Sequence, residues 1–394
     1  MTVAKPQQSE KIPPWRDERF LRTGAQVISS VLILFLIYWA ISNFLVITQQ
    51  RGMPLTYRFL KEPAGFPIAE SYIPYEPTMS FGRAFQVGLT NTLVVSITGI
   101  FFATWLGFFV GLARLSSNWL VSKIALAFIE FHRNIPLLVL LFIWYFGVFA
   151  KLPPVKESII LPGPFYLSQR GLYLTWPRLT ETGPIFISFL AAGIMVSGIA
   201  FKILRQRRVQ TGKNTYYAPI SLALLIIIPA IGWIVAKGRP FWLDTPVLQG
   251  FNYKGGLRLS PEFAALAVGL TTYTAAFIAE VFRAGILAVQ KGQVEAARAL
   301  GLAPSQVLSL VVIPQALRVV IPPLISQYLN LTKNSSLALT IGYQELFAIS
   351  KVTINQAGRA VPVFLMVMAT YLAISLITSG ILNIYNRRVQ FIER

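Results

Sequence analysis

Cysteine is absent and His132 is the only histidine among 394 residues. The first absence excludes a disulfide framework and a thiolate-held metal, and the second excludes a multi-histidine metal centre. Charge is sparse as well: Asp, Glu, Lys and Arg make up 13% of the chain, against about 25% in a soluble domain. The chain therefore lacks the surface to face water on every side. Acidic residues are the scarcer sign, 15 against 35 basic ones, and the net charge is +20. Nothing matches G-x-x-x-x-G-K-[ST], the loop whose amides cradle nucleotide phosphates, so the chain does not supply ATP hydrolysis itself. No internal repeat and no low-complexity segment is present.

What fills the chain instead is apolar sequence, 55% of it, with a mean hydropathy of +0.60. Runs long enough to cross a bilayer as helices, about 20 residues, recur at 25–47, 86–113, 122–149, 183–203, 216–236, 262–284, 315–347 and 361–384. The first follows Lys5, Lys11, Arg16, Arg19 and Arg22 and is too long for the apolar core of a secretory signal. It is expected to stay as a span with its N-terminus inside. An even number of spans brings the C-terminus back inside, where Arg387, Arg388 and Arg394 lie. "KILRQRRVQTGK", with Lys202, Arg205, Arg207, Arg208 and Lys213, falls on the same side. This is the positive-inside pattern, which accounts for the net charge without nucleic acid. The outer loops at 151–181 and 237–261 also carry Lys and Arg, partly offset by Glu157, Glu181 and Asp244.

The outer segments 48–82, 150–182 and 237–261 are rich in Pro, Gly and aromatics. Two readings fit them: ordered irregular structure with Trp and Tyr at headgroup level, or a docking surface for an external partner. Gly107 and Gly111, four apart, permit close approach of two helix backbones, either within the chain or between two copies.

Ionisable groups inside a bilayer are costly and usually face protein or water. In "IEFHRNIPLLVLLF", Glu130, His132, Arg133 and Asn134 precede Pro136 near mid-span. Proline has no amide hydrogen and disfavours helix at the residue before it, so the span should break there and present the amides of Leu137 and Leu138. Broken helices of this kind hold substrate carboxylates in many transporters; a plain kink with snorkelling charges is the alternative. Arg133 and Glu130, three apart, can pair. A second polar interruption, Lys333, Asn334, Ser335 and Ser336, should line a cavity or a subunit interface, in a span bent by Pro322 and Pro323. Glu280 and Arg283 are spaced for an ion pair on one helix face.

The stretch "EAARALGLAPSQVLSLVVIPQA" (295–316) interrupts the apolar runs. Lys291 to Leu300 makes a helix too short to stand alone in water. Val294, Ala297 and Leu300 fall on one narrow stripe, Gly301 suits the left-handed position that stops a helix, and Pro304 opens the next. So small an apolar face fits a groove on a protein better than a lipid surface. The stretch resembles the EAA loop of binding-protein-dependent ABC importer permeases: Glu295-Ala296-Ala297, then Gly301, then Val311-Val312-Ile313-Pro314, with Val for Ile and Ile for Leu. "AFIAEVFRAGILAVQKGQ" (276–293), "FHRNIPLLVLLFIWYFG" (131–147) and "KNSSLALTIGYQEL" (333–346) resemble the polar amino acid branch. The extra first span and the insertion at 150–261 are similar to the longer permeases of general L-amino acid importers.

That resemblance implies an all-α polytopic membrane protein of about eight transmembrane helices with a type I importer core. Its parts would be a cytoplasmic segment (1–24), an extra span and outer loop (25–83), core pieces at 84–149 and 262–390, and the insertion (150–261). The loop at about 285–314 would be the coupling loop, with Gln293, Glu295, Ala296, Ala297, Gly301 and Pro314 meeting an ATPase subunit. Arg133, Asn134, Pro136, Leu137, Leu138, Asn334, Ser335 and Ser336 are the candidate substrate site, for the α-carboxylate or α-amino group of an amino acid. Implied partners are a second, related permease, two ATPase subunits that hold ATP and Mg, and an external binding protein, in a bacterial inner membrane with both termini cytoplasmic. No cofactor is expected in the chain itself. An ion-coupled secondary transporter, using Glu130, His132 and Arg133, is the rival; it leaves 291–314 unexplained.

Overall fold

The computed structural model describes residues 18–50 and 55–389; Lys5, Lys11, Arg16 and Arg394, expected on the cytoplasmic side, lie outside them. Helices cover all eight expected spans. The first is α1 (Glu18–Gln50) and the second α2 (Phe81–Arg114). The third comes in two pieces, α3 (Trp119–Asn134) and α4 (Leu137–Phe142), the latter prolonged to Lys151 by a π turn and a 3-10 turn. α3 starts at Asn118, whose side chain accepts the Leu120 and Val121 amides, a regular N-cap. It ends at Ile135, forced extended (φ −100, ψ 129) by the proline that follows. The two pieces meet at 106°.

The insertion departs from expectation. Its loops, read as irregular, are short antiparallel strands: β1 (Ile159–Leu161), β2 (Phe165–Ser168), β3 (Gly171–Leu174) and β4 (Trp176–Leu179) on one side of a helical hairpin. That hairpin is α5 (Gly183–Thr211) and α6 (Tyr217–Val235), and after it come β5 (Phe241–Asp244), β6 (Val247–Gln249), β7 (Asn252–Lys254) and β8 (Leu257–Leu259). They form a sheet of order β1-β2-β3-β8 and the pairs β4-β5 and β6-β7. The strands are only three or four residues long, too short for a visible alternation, and two of the pairings, β3-β8 and β4-β5, join segments on either side of the hairpin. Gly171 (φ 118) is required where β3 crosses β8, since a Cβ there would stand 2.2 Å from the Leu259 carbonyl oxygen. Arg178 and Asp244 pair across β4 and β5.

Four elements follow without a long loop: α7 (Pro261–Leu287), α8 (Lys291–Ala299), α9 (Pro304–Val307) and, after a π turn, α10 (Ile313–Asn334). α10 continues through Pro322 and Pro323 and stops at the polar residues that follow them. A 3-10 turn (Ser335–Ile341), α11 (Leu346–Ala357) and α12 (Ala360–Val389) complete the chain.

The chain divides into two compact units. One, the described residues up to 68 with 75–86 and 349–370, is knit by Phe81 packed on Phe59 and Phe66, with ring centroids 6.1 and 6.3 Å apart, and by the Pro63–Ser80 bridge. The other, residues 69–74, 87–348 and the described residues from 371 on, holds a core in which Val95, Leu137, Leu141, Leu270, Ile278 and Leu331 are buried. Gly107 and Gly111 serve this core. A Cβ at either would lie 2.9 and 2.8 Å from the Ala275 and Ala279 carbonyl oxygens, so the small-residue pair packs α2 on α7 within the chain. In the α5–α6 hairpin the Ser197 hydroxyl donates to the Ser221 carbonyl (2.7 Å), and Gly193 and Gly232 lie against Pro229 and Phe189.

Candidate substrate site and coupling loop

The two broken spans meet. Hydrogen bonding in α4 begins with the Val139 and Leu140 amides donating to the Pro136 carbonyl (2.9 and 3.2 Å), so the Leu137 and Leu138 amides precede the helix's own ladder. The 3-10 turn Ser335–Ile341 packs on α4 and α7, with Ala338 and Ile341 in the same buried cluster as Leu137 and Leu141. Ser335 is buried and donates to the Thr332 carbonyl (2.7 Å); Ser336 donates to the Lys333 carbonyl (2.8 Å). Asn334, half-buried, ends α10.

Arg133 and Asn134 are not part of this meeting. Both are exposed at the end of α3. The Arg133–Glu130 pair that the spacing allows does not form: Asn134, a full turn from Glu130, donates to its carboxylate (3.0 Å), and the Arg133 guanidinium lies over the Phe277 ring at 5.3 Å. His132 is buried, with Nδ1 donating to the Phe128 carbonyl (2.9 Å). The Glu280–Arg283 pair is formed, with three contacts of 2.8–3.1 Å.

Sequence reasoning passed over a polar lattice close to the second break. Gly342 (φ 86) reverses the chain, and Glu345, 0% exposed, caps α11 by accepting the Phe347 and Ala348 amides (2.9 and 2.8 Å) and the Tyr371 hydroxyl (2.9 Å). Thr92 accepts the Leu346 amide (3.0 Å), and Asn91 donates to the carbonyls of Gln344 and Glu70, each 2.8 Å away. The Glu70 carboxylate accepts the hydroxyls of Tyr72 (2.7 Å) and Ser260, and Ser260 in turn caps α7. Burial pushes the Glu70 carboxyl above its ordinary range, against the pull of those hydroxyls and of Arg258. The available signal was "TNT" (90–92), a polar triplet inside an apolar run.

In the coupling loop, the Gly301 amide donates to the Arg298 carbonyl (2.9 Å) and the Leu302 amide to the Ala297 carbonyl (3.3 Å), with Gly301 at φ 76. These two bonds around a left-handed residue are a Schellman stop. Pro304 opens α9, and the Ala303 amide donates to the Gln306 side chain (2.9 Å). The apolar stripe expected of Val294, Ala297 and Leu300 divides. Val294 and Ala297 turn inward onto Val307 and Val312, while Leu300 is 82% exposed. Three-residue steps drift about 60° each around a helix of 3.6 residues per turn, which takes Leu300 off that face. Ala297 thus packs against its own chain and is not free for a partner; Gln293, Glu295 and Ala296 form the outer face. Pro314 is exposed in the first turn of α10.

Residues 215–391 match the family of the binding-protein-dependent transport system inner membrane component. The putative amino-acid ABC transporter permease protein YhdX of Escherichia coli is 44% identical over 94% of both chains. The general L-amino acid transport system permease protein AapQ of Rhizobium johnstonii is 41% identical over 96% of this chain and 94% of its own. The crystal structure of an amino acid ABC transporter with histidines aligns with 78% of this chain and 95% of its own, at 21% identity and a TM-score of 0.47.

Proposed function

Because the chain belongs to the binding-protein-dependent inner membrane components, the permease subunits of ABC transporters, we propose that it imports L-amino acids, taking them from an external binding protein. The observation that carries the site is the meeting of two interrupted spans, α4 behind Pro136 and the turn behind Asn334. The Leu137 and Leu138 amides sit at the positive end of α4 and suit a carboxylate. Asn334, Ser335 and Ser336 supply neutral polar groups able to meet the carboxylate or the ammonium. Arg133 contributes positive field only, from its seat on Phe277.

The names of the relatives support the substrate class: one is an amino-acid permease, another a general L-amino acid permease. The working assembly would pair this chain with a second, related permease. Two ATPase subunits would bind ATP and Mg and receive α8, in a bacterial inner membrane with both termini inside. Gln293, Glu295 and Ala296 would face the ATPase, with Gly301 fixing the angle at which the chain leaves.

The test is substrate-stimulated ATPase of the assembled complex in liposomes, with a panel of amino acids on the loaded binding protein. Asn334→Leu should weaken uptake while basal ATPase and assembly persist. Uptake unchanged by that substitution would move the site into the partner permease, and no stimulation by any amino acid would end the substrate proposal. Orientation is tested by single cysteines in this cysteine-free chain. Thr211→Cys and Gln293→Cys should react from the cytoplasm. Gln169→Cys, exposed beside the buried Ser168, should react only from outside.

A further inference from the structure

Helix α5 outlasts its partner. The rings of Phe201 and Tyr217 are 5.2 Å apart, and the Thr215 hydroxyl donates to the Leu204 carbonyl (2.8 Å), so α6 begins beside residues 201–204 of α5. From Arg205 to Thr211 α5 runs on for roughly 10 Å more, at 1.5 Å per residue. Gly212 (φ 68) stops it, and the connection returns along one side, where Arg208 lies over Tyr217 at 5.4 Å. The other side, with Lys202, Arg205, Gln206 and Val209, is exposed.

The charge here is uncompensated. From Thr182 to Leu243 the chain has no Asp or Glu, yet it carries Lys202, Arg205, Arg207, Arg208 and Lys213 at this end of the hairpin and Lys237 and Arg239 at the other. The two ion pairs among the described residues, Arg178–Asp244 and Arg283–Glu280, lie elsewhere. Nearer the middle of the hairpin the small residues face inward, and Ile194, Met195, Ile199 and Ile226 present an exposed apolar surface. The 19 residues of α6 measure roughly 28 Å, close to a hydrocarbon core of about 30 Å. The overhang of α5 therefore emerges where lipid phosphates stand.

We propose that the end of α5 is a binding site for an anionic phospholipid. The Arg205 guanidinium and the Lys202 ammonium take the phosphate, since a planar guanidinium fork matches it geometrically. The acyl chains run along the apolar face that ends at Phe201. A basic cluster directly beyond a span is the arrangement that concentrates anionic lipid. The site is independent of which solute the chain carries.

The test uses the assembled transporter in nanodiscs of mixed phosphatidylglycerol and phosphatidylcholine, with retained lipid counted by native mass spectrometry. The wild type should keep phosphatidylglycerol in preference, and Lys202→Gln with Arg205→Gln should reduce that preference by roughly fivefold or more. Basic residues also orient hairpins, so the wild type carries a second test. Salt near 1 M, where the screening length is about 3 Å, should abolish the preference. Millimolar inorganic phosphate should leave the lipid in place; displacement by it would mean a small-anion site and overturn the proposal. Equal retention of both lipids by the wild type, or a preference that survives both the double substitution and high salt, would also overturn it.

Discussion

Asn91 in α2 donates its side-chain amide to the Gln344 carbonyl, 2.8 Å away across 253 positions of sequence. The same amide reaches the Glu70 carbonyl, also at 2.8 Å. One fully buried side chain thus ties the loop at Glu70 and the turn before α11 to a single helix. Asn91→Leu keeps the branched shape and removes both donors. Leaving the carbonyls without that donor costs about 1–3 kcal/mol each. Thermal unfolding in detergent should show a clear loss of stability, and Asn91→Asp, which also lacks the donor, should not restore it. A melting curve unchanged by Asn91→Leu would mean that water replaces the tie.

Two glycines of α2 should respond differently to the same substitution. A Cβ at Gly107 would stand 2.6 Å from Ile278 Cγ2 and 2.9 Å from the Ala275 carbonyl oxygen, so α2 and α7 must part. A Cβ at Gly99 would meet only the side chain of Leu331, at 3.2 Å, a contact relieved by a shift of a few tenths of an ångström. Overpacking of the first kind costs about 1–3 kcal/mol, whereas alanine in a helix gains up to about 1 kcal/mol over glycine. Gly107→Ala should therefore lower the melting temperature and Gly99→Ala hold or raise it. The reverse order would refute the packing assignment.

The eight spans were legible because crossing a bilayer needs a long apolar run, and such a run is a local property of the sequence. The break at Pro136 and the stop at Gly301 were legible for the same reason: each follows from one residue's backbone chemistry. The strands of the insertion were not, since each is only three or four residues long and pairs such as Leu172–Leu259 join segments on either side of the α5–α6 hairpin. Nor was the lattice around Asn91 and Glu345, whose partners are far apart in sequence. Charge spacing alone does not tell which neighbour, Glu130 or Phe277, Arg133 will reach; the structure seats it over Phe277. The inward turn of Ala297 was not legible, because a triplet that identifies a family gives no sign of which of its members faces its own chain.

Glu70 predicts a pH dependence. Its carboxyl is raised from an ordinary value of 4.5, burial being the largest cause. The folded chain therefore holds this proton more tightly than the unfolded one, and the contribution to stability is fully present below that ordinary value. It is lost as pH climbs through the raised folded value. Glu70→Gln removes the titration while keeping an acceptor for Tyr72. The melting temperature of the variant relative to wild type should rise between pH 4.5 and 8. A difference that stays flat over that range would show that the buried carboxyl pays no desolvation cost.

Gly301 offers the sharpest test of coupling. Its φ of 76 lies in the left-handed region, and the Schellman bonds Gly301–Arg298 and Leu302–Ala297 depend on it. Nothing stands within 4 Å of a Cβ there, so a substitution meets no steric clash and its effect is one of backbone conformation. Valine in that conformation costs about 1–2 kcal/mol, enough to reorient α8 without unfolding a chain whose core lies in other helices. Gly301→Val should reach the membrane and assemble, while stimulation of ATP hydrolysis by loaded binding protein falls together with uptake. Gly301→Asn, which tolerates the left-handed region better, should retain more of both. The ATPase rate with and without loaded binding protein is the measurement. Full stimulation in Gly301→Val, and in a Glu295→Arg variant that reverses the charge on the outer face, would reduce α8 to a connector.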